Sequence, residues 1–490
     1  MENKLNINQG IREWVKKPFN FTAVVFTVLA YILLPVINSV MLRWFEEMSL
    51  FEPNKLFWDQ VTAYPGGILR YLGCYLTQFL YYPWLGATIL IAMWITIVYT
   101  ARRAFRCGGR NVSLLLFAVP LGLLCSVAGM DEGWLTMKSQ GYFFSQTLGT
   151  LASILLFWAY RSIPNLYLRI PAILIIAFAY YPLGYYSVLA GGMCILWETV
   201  SAITLKQWVR LSAPAIAIAA FFIMPDYVFS HVPGISVDND ALYIKGLPEF
   251  GIGGSYDRWL QLAFAIIALT LFAFALISGS NTADKASKIF KPWLCFGMLA
   301  VGTICVVQST MSINKQVKCA IDMLGYIDYG QWEKVLELMD KTDVEPDFNM
   351  MILNNLARNQ LGMQLIYGIQ RPQFDVESTE MRREGLTTNV FLNIPVNFYL
   401  GKSNNSYRWA MEHTVAFGKR VFFLKYMVRA ALLNGDIDVA RKYNDILHKT
   451  AFHKAWAKHY QMFIDHPELM ASSKEFTSIP DYKPKTIFKL

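Results

Sequence analysis

The chain contains few charged residues for its length. They make up 16% of its 490 residues, whereas a typical soluble protein has about 25%. The seven cysteines are scattered, and no CxxC pair occurs, which argues against a disulfide framework and against the common zinc motifs. Walker loops, GxSxG and HExxH are also missing. The sequence therefore lacks the signatures of P-loop enzymes, serine hydrolases and zinc proteases.

The histidines and the net charge indicate no obvious ligand. The spacing of the six histidines matches no metal-binding motif, and we expect lone surface histidines. They are His231, His413, His448, His453, His459 and His466. The net charge is +9, but no basic stripe with interleaved aromatic residues accompanies it, so we expect no nucleic-acid partner.

Long apolar runs, by contrast, fill the first part of the chain. Each is close to the roughly 20 residues that cross a bilayer as a helix. The runs cover about 21–42, 84–101, 112–130, 143–160, 169–183, 186–204, 211–227, 258–279 and 292–312. Because lipid offers no hydrogen bonds to the backbone, such runs predict an all-α polytopic helical bundle with about nine spans. Around Tyr180–Tyr186 the alternative is one long kinked helix.

Basic residues occupy alternate loops between these runs. They are Arg12, Lys16, Lys17, Arg102, Arg103, Arg106, Arg110, Arg161, Arg169, Lys206, Arg210, Lys285, Lys288 and Lys291. The positive-inside rule then places the N-terminus in the cytoplasm and the C-terminus outside it. The expected location is the cell inner membrane, with several passes and a periplasmic C-terminal domain.

The composition changes at about residue 314, where the long apolar runs stop and charges of both signs intersperse. We therefore predict a transmembrane helical domain over 1–313 and an extracytoplasmic α-helical repeat domain over 314–490. Gly330, Gly401 and Gly435 each separate two helix-like segments. Paired helices with glycine turns are typical of tetratricopeptide-like (TPR-like) repeats, although their irregular period also fits a generic helical bundle.

Two acidic pairs follow apolar runs on the same predicted side of the membrane. Glu46 and Glu47 come after the first run, and Asp131 and Glu132 come after the third. The cationic residues predicted on that side are Arg43, Arg70, Lys138 and Arg258. Carboxylates can activate a hydroxyl group and arginine can bind phosphate, so these eight residues are the candidate site. The alternative is that the acids are solvated helix ends.

This order of spans, loops and acids resembles the polytopic glycosyltransferases of the GT-C superfamily. The resemblance rests on layout, with an acid after the first span, surface helices in the first outer loop and a soluble C-terminal domain. One branch of that superfamily carries tetratricopeptide repeats there. The segments PGG, TQFLYYPWLGA and the NGD turn also resemble an uncharacterised family of Bacteroidota polytopic membrane proteins.

The resemblance implies a glycosyltransferase that uses a polyprenyl-phosphate sugar donor at the outer face of the inner membrane. Glu46 or Glu47 would then be the base, with Asp131 or Glu132 as the second acidic site. Convergence of the two pairs would require a cation between them, and a divalent Mg or Mn ion is the candidate. The alternative is a non-enzymatic membrane scaffold whose helical-repeat domain binds a protein or peptide. A flippase for a lipid-linked glycan is a weaker third hypothesis.

Overall fold

The computed structural model of the protein describes residues 17–108, 111–128, 140–230, 258–280, 291–311, 315–365 and 386–480. Over these ranges all regular secondary structure is helical and no strand occurs. The predicted all-α class is therefore confirmed.

Thirteen α-helices, besides short 3-10 and π-helical segments, precede residue 312 in the described part of the chain. They are α1 (Pro18–Tyr31), α2 (Ser39–Glu47), α3 (Lys55–Thr62), α4 (Gly67–Thr77), α5 (Pro83–Ala104), α6 (Ala118–Ala128), α7 (Tyr142–Ser162), α8 (Leu166–Phe178), α9 (Tyr180–Leu183), α10 (Tyr185–Leu205), α11 (Ser212–Ser230), α12 (Arg258–Gly279) and α13 (Pro292–Met311).

Six of the nine predicted spans are helices long and apolar enough to cross a membrane. They are Pro18–Ile37, Pro83–Ala104, Tyr142–Ser162, Leu166–Leu183, Tyr185–Leu205 and Leu262–Gly279. Three other predicted spans coincide with shorter apolar helices at Asn111–Val127, Trp208–Ile223 and Pro292–Gln308, and their crossing stays a prediction. Apolar side chains such as Ile175, 66% exposed, point outward from these helices, as lipid-facing residues do. The apolar helices thus indicate a membrane protein, and its described residues are all-helical.

The region around Tyr180–Tyr186 contains a break between two helices. Gly184 has φ 55° and ψ −134°, a conformation that glycine adopts far more readily than other residues. It separates α9 from α10, and both flanking segments are long enough to cross a membrane by themselves. The structure therefore has two separate helices here instead of one long kinked helix, and the crossing of the membrane by each stays a prediction.

Nine further α-helices and one 3-10 helix (Pro467–Ser472) follow residue 314 in the described ranges. The α-helices are α14 (Lys315–Asp328), α15 (Trp332–Lys341), α16 (Phe348–Gln360), α17 (Leu386–Tyr399), α18 (Ser403–Phe417), α19 (Val421–Asn434), α20 (Ile437–His448), α21 (Lys454–Asp465) and α22 (Lys474–Thr477). Gly330, Gly401 and Gly435 have φ of 64°, 74° and 79°. These left-handed glycines end α14, α17 and α19 and allow the next helix to turn back.

The chain divides into two compact units, and the division does not follow sequence order alone. The first unit contains most of the described residues before 312, and the second contains those after 314 together with Val40–Pro53. The predicted domain bounds of 1–313 and 314–490 stay a prediction. Most of helix α2 and the residues after it nonetheless form part of the second unit.

Close helix packing characterises the first unit. A Cβ on Gly73 in α4 would lie 2.4 Å from the backbone oxygen of Gly141, so α4 and the start of α7 approach at a distance that only glycine permits. Glu198, an ionisable residue within α10, is fully buried. Its carboxylate lies 2.6 Å from Arg169 and 3.5 Å from Arg210.

A separate hydrophobic core holds the second unit together. Helix α19 lies at its centre, with every residue from Val421 to Leu432 buried. The segment Val40–Pro53 contributes Met41, Trp44, Met48 and Leu50 to this core, and the Trp44 ring lies 5.2 Å from the ring of Phe422. The residues after the first span are therefore an integral part of the helical unit.

Candidate functional site

Helix α19 carries two charges into the core of the second unit. Its sequence, VFFLKYMVRAALLN, is apolar except for Lys425 and Arg429 near its middle and Asn434 at its end. Residues four positions apart lie on the same face of a helix, so both cations point the same way. They are 2% and 3% exposed, and such buried charges require partners.

The partners form what we call the charge network, which consists of Glu47, Asp328, Lys425, Arg429 and Glu475. Lys425 Nζ lies 2.6 Å from Glu47 Oε1 and 3.6 Å from Asp328 Oδ2. Arg429 donates to Asp328 Oδ1 over 2.6 Å and to the Asp328 carbonyl oxygen over 3.1 Å. The network therefore joins α2, α14 and α19.

Arg429 extends the charge network to the end of the described chain. Its Nε lies 3.2 Å from Glu475 Oε1 and donates to the Tyr460 hydroxyl over 2.8 Å. That hydroxyl in turn donates to Glu475 over 2.5 Å. Three carboxylates thus face two cations, and the network retains an excess of negative charge.

The ionisation of the charge network follows from these contacts. Burial by itself would raise the pKa of Asp328, but Arg429 and Lys425 outweigh it and lower that pKa to about 2. Burial would likewise lower the pKa of Lys425, yet Glu47 and Asp328 raise it above its usual range. Both groups are therefore charged at neutral pH, because each stabilises the charged form of the other.

A second buried contact involves the neighbouring acid of α2. Glu46 Oε1 lies 2.7 Å from His453 Nε2, and the two residues are each 2% exposed. Burial raises the pKa of Glu46, an effect that His453 partly offsets. The expectation of lone surface histidines is therefore wrong for His453, and also for His413, which is 5% exposed.

Further contacts tie the same segment to the helical unit. Lys419 Nζ lies 2.8 Å from Glu52 Oε1, and Arg420 donates to the Met48 carbonyl oxygen. The Val421 amide donates to the carbonyl oxygen of Ser49 over 3.4 Å. Polar contacts therefore continue along Val40–Pro53 and add to the burial of its apolar residues.

A pocket of about 360 Å³ opens beside the charge network within the second unit. Aromatic rings, three carboxylates and one guanidinium line it. The aromatic and charged lining residues are Trp44, Tyr326, Tyr329, Phe422, Glu47, Asp322, Asp328 and Arg43. Arg43 donates to the Tyr329 hydroxyl, and its guanidinium lies 5.1 Å from the centre of that ring. The pocket thus offers apolar faces and charges of both signs to one ligand.

Asp322 differs from the other acids of the pocket. Glu47 and Asp328 are engaged by Lys425 and Arg429, whereas the Asp322 carboxylate has no hydrogen bond or ion pair with another residue in the described ranges. Burial raises the pKa of Asp322 to about 6, and the cation of Lys318, one turn earlier on α14, only partly opposes this shift.

Three side chains near the pocket offer metal-ligand atoms. Atoms of Glu46, Glu47 and His453 lie within 4.8 Å of one another, and Oε2 of each glutamate has no hydrogen-bond partner in the described structure. A histidine with two carboxylates suits Mn or Zn better than Mg, which prefers oxygen ligands. However, Lys425 already provides a positive charge to Glu47, and His453 contacts Glu46 directly. The fit to a metal is therefore partial.

The structure brings together some of the residues predicted as a site. Glu46, Glu47 and Arg43 lie on α2 in the second unit, but both glutamates are buried and paired instead of facing solvent. Arg70 lies on α4 in the first unit. The side chains of Asp131, Glu132, Lys138 and Arg258 lie outside the described residues, so the predicted meeting of the two acidic pairs stays a prediction.

The sequence did not predict the direct partners of Glu46 and Glu47 or the rest of the pocket and charge network. The partners are His453 and Lys425, and the other residues are Asp322, Asp328, Arg429 and Glu475. Two charges on one face of the otherwise apolar α19 were a detectable signal, because an apolar helix keeps such residues only if they are paired. Nothing local distinguished His453 from the other histidines of the tail.

Comparison with known proteins places this architecture in a family. Residues 15–489 match a family described as "Family of unknown function (DUF6057)". The chain belongs to the DUF6057 family. The match covers both units, so the membrane helices and the helical unit occur together as one DUF6057 architecture. No curated protein and no solved structure matches this DUF6057 chain.

Proposed function

We propose that this DUF6057 protein is a glycosyltransferase that uses a polyprenyl-phosphate sugar, with the pocket of the second unit as its sugar-binding site. The supporting observation is the lining of that pocket, where aromatic rings, carboxylates and Arg43 converge. A sugar presents apolar C–H faces that suit aromatic rings and hydroxyl groups that suit carboxylates. Arginine suits the phosphate of the donor, because its planar fork binds phosphate oxygens in pairs.

The membrane helices support the lipid part of this proposal. A polyprenyl donor has a long apolar chain, and an enzyme that binds it needs a membrane-embedded surface. Six helices are long and apolar enough to provide one. The short helices α3 and α4 carry Trp58 and Tyr75, which are 40% and 45% exposed, and such side chains prefer the membrane interface.

The proposed function also includes a membrane topology and a role for the second acidic pair. We place the protein in the inner membrane with nine spans, a cytoplasmic N-terminus and a periplasmic TPR-like unit, in the manner of the GT-C superfamily. Asp131 and Glu132 are the proposed second acidic pair, and Lys138, Arg70 and Arg258 are proposed as further substrate-binding residues. A Mg or Mn ion between the acidic pairs would offset their repulsion.

A transfer assay tests the proposal. The purified full-length protein in lipid nanodiscs is incubated with radiolabelled polyprenyl-phosphate sugars and lipid or peptide acceptors. The wild-type protein should transfer the label to an acceptor. The Arg43→Gln variant should have a donor KM about tenfold higher or more, because a guanidinium–phosphate contact is lost. Arg408→Gln is the matched control, since the Arg408 side chain is 65% exposed on α18. Absence of transfer with every donor would reject the proposal.

The second candidate is a non-enzymatic scaffold whose helical unit binds a protein or peptide. The observation that favours it is the pairing of Glu46 with His453 and of Glu47 with Lys425, which gives both acids a structural role. An acidic, aromatic pocket would then receive a basic or aromatic side chain of a partner. Donor binding without turnover, or no donor binding at all, would favour the scaffold over the transferase.

A further inference from the structure

The pocket contains three carboxylates, and they differ in whether a cation contacts them. Glu47 Oε1 lies 2.6 Å from Lys425 Nζ, and Asp328 is held by both Lys425 and Arg429. A carboxylate held by cations is a poor base, because its negative charge is already stabilised. Asp322 lines the same pocket and has no such cation in hydrogen-bond contact among the described residues.

Helix α14 presents Asp322 to the pocket on a continuous face. Asp322, Gly325 and Tyr326 line the pocket, as does Tyr329 just beyond the end of the helix. Their spacing of three, four and seven positions places them on one side of a helix. Along this face, the Asp322 carboxylate is followed by Gly325, which has no side chain, and then by the phenol rings of Tyr326 and Tyr329.

Gly325 leaves the pocket face of α14 without a side chain next to Asp322. A Cβ at this position would meet no atom within 4 Å, so neighbouring atoms do not require a glycine. Glycine inside a helix is nevertheless less stable than alanine. A group that approaches Asp322 from the pocket would therefore meet no side chain at this position.

From this geometry we infer that Asp322 is the catalytic base of the pocket, in place of Glu46 or Glu47, for which the GT-C resemblance implied this role. This inference rests on the proposed glycosyl transfer. The O–H bond of the acceptor hydroxyl breaks, and its proton passes to a carboxylate oxygen of Asp322. The oxygen forms a bond to the anomeric carbon, while the bond from that carbon to the donor phosphate breaks. The electron pair leaves with the phosphate, whose charge Arg43 offsets.

The acidity of Asp322 agrees with this role. Burial raises its pKa to about 6, whereas the cations beside Asp328 lower the pKa of that residue to about 2. A base works best when its pKa lies near the operating pH, and two pocket carboxylates with separated pKa values are typical of acid–base sites. The titratable groups around Asp322 include Lys318, Cys319, Tyr326 and Asp328 on α14, Tyr329 just beyond it, and Arg43 and Glu47 on α2.

The test uses Asp322→Asn and the full-length protein in the transfer assay. The wild-type rate should fall tenfold per pH unit below about pH 6, because Asp322 becomes protonated. Asp322→Asn should lower kcat by about 10²-fold or more and abolish this acid limb. Asp340→Asn, at an exposed position of α15, should behave like the wild type.

A second variant tests the position of the ligand. Gly325→Leu would project into the open space beside Asp322 and should raise KM at least tenfold, while thermal melting of the protein is maintained or improved. A folded Asp322→Asn protein with the wild-type rate and an unchanged acid limb would overturn the role of Asp322. Absence of transfer by the wild-type protein would instead reject the proposed function, and this role with it.

Discussion

Lys425 Nζ lies 2.6 Å from Glu47 Oε1, although 378 positions separate the two residues in the chain. One residue follows the first membrane helix, and the other lies at the centre of the C-terminal helical unit. Both are buried. The contact makes the segment after the first span a component of the helical unit. Breaking this ion pair should therefore destabilise the whole unit.

Replacing Lys425 with methionine should destabilise the second unit strongly. The substitution keeps an unbranched side chain but leaves Glu47 buried without its cation and weakens the pairing of Asp328. Breaking a buried ion pair from one side typically costs about 3–5 kcal/mol. Thermal unfolding of the full-length protein in nanodiscs measures the effect.

The matched control for that experiment is Lys341→Met. Lys341 pairs with Glu337 over 3.2 Å, but its side chain is 75% exposed, and such surface pairs contribute less than about 1 kcal/mol. Equal melting temperatures of the two variants would contradict a stabilising charge network.

The charge network should also determine how the free energy of unfolding changes at low pH. The pKa of Asp328 falls from its ordinary 3.8 to about 2 on folding. A lowered pKa means that this stabilisation is fully present above about pH 3.8 and is lost as the pH falls towards 2. By linkage it amounts to roughly 2 kcal/mol.

The variant Asp328→Asn isolates this contribution. Its stability deficit relative to the wild type should be constant from about pH 7 to about pH 4 and should shrink at lower pH, where the wild type loses the same stabilisation. Denaturant melts at closely spaced pH values measure the difference. A deficit that grows towards low pH would have the wrong sign for a carboxylate held by Arg429 and Lys425.

Residues 314–490 expressed alone should be helical but less stable than the same residues joined to Val40–Pro53. That segment inserts Met41, Trp44, Met48 and Leu50 into the core, and burying one large apolar side chain contributes about 1.5–3 kcal/mol. Circular dichroism melts compare the tail alone with a fusion carrying Val40–Pro53 on a flexible linker. Identical melting curves would show that the segment contributes nothing to the unit.

Close packing in the first unit predicts a steric effect at Gly73. Alanine there would bring a Cβ within 2.1 Å of Ser145 Oγ and 2.4 Å of the Gly141 oxygen, so α4 and α7 must move apart at a cost of about 1–3 kcal/mol. Gly297→Ala is the control, because its Cβ would meet no atom within 4 Å and should gain up to about 1 kcal/mol in helix stability. In detergent, the melting temperature of the Gly73→Ala variant should fall below that of the wild type, and that of the Gly297→Ala variant should rise above it.

The predicted orientation can be tested on the full chain. Alkaline phosphatase is active only outside the cytoplasm, so a fusion at Leu490 should be active and an insertion at Gly108 should be silent. An inactive fusion at Leu490 would mean an even number of spans and would also move the candidate pocket to the cytoplasmic side.

Helices could be predicted from the sequence where their formation depends only on residues close together in the chain. Length and apolarity within one segment determine whether a helix can cross a membrane, so six of the predicted spans are recovered as such helices. The turn at Gly435 is predictable for the same reason, because its positive φ of 79° is a property of one residue and its neighbours.

The tertiary structure alone decided what Glu46, Glu47 and Asp322 contact. The sequence selected the two glutamates for their place after the first span, but His453 lies 407 positions from Glu46, and no periodicity links such distant residues. Asp322 was not selected, because a single acid on a half-buried helix looks like many others. Ionisation depends on burial and on nearby charges, and both are determined only when distant helices pack together.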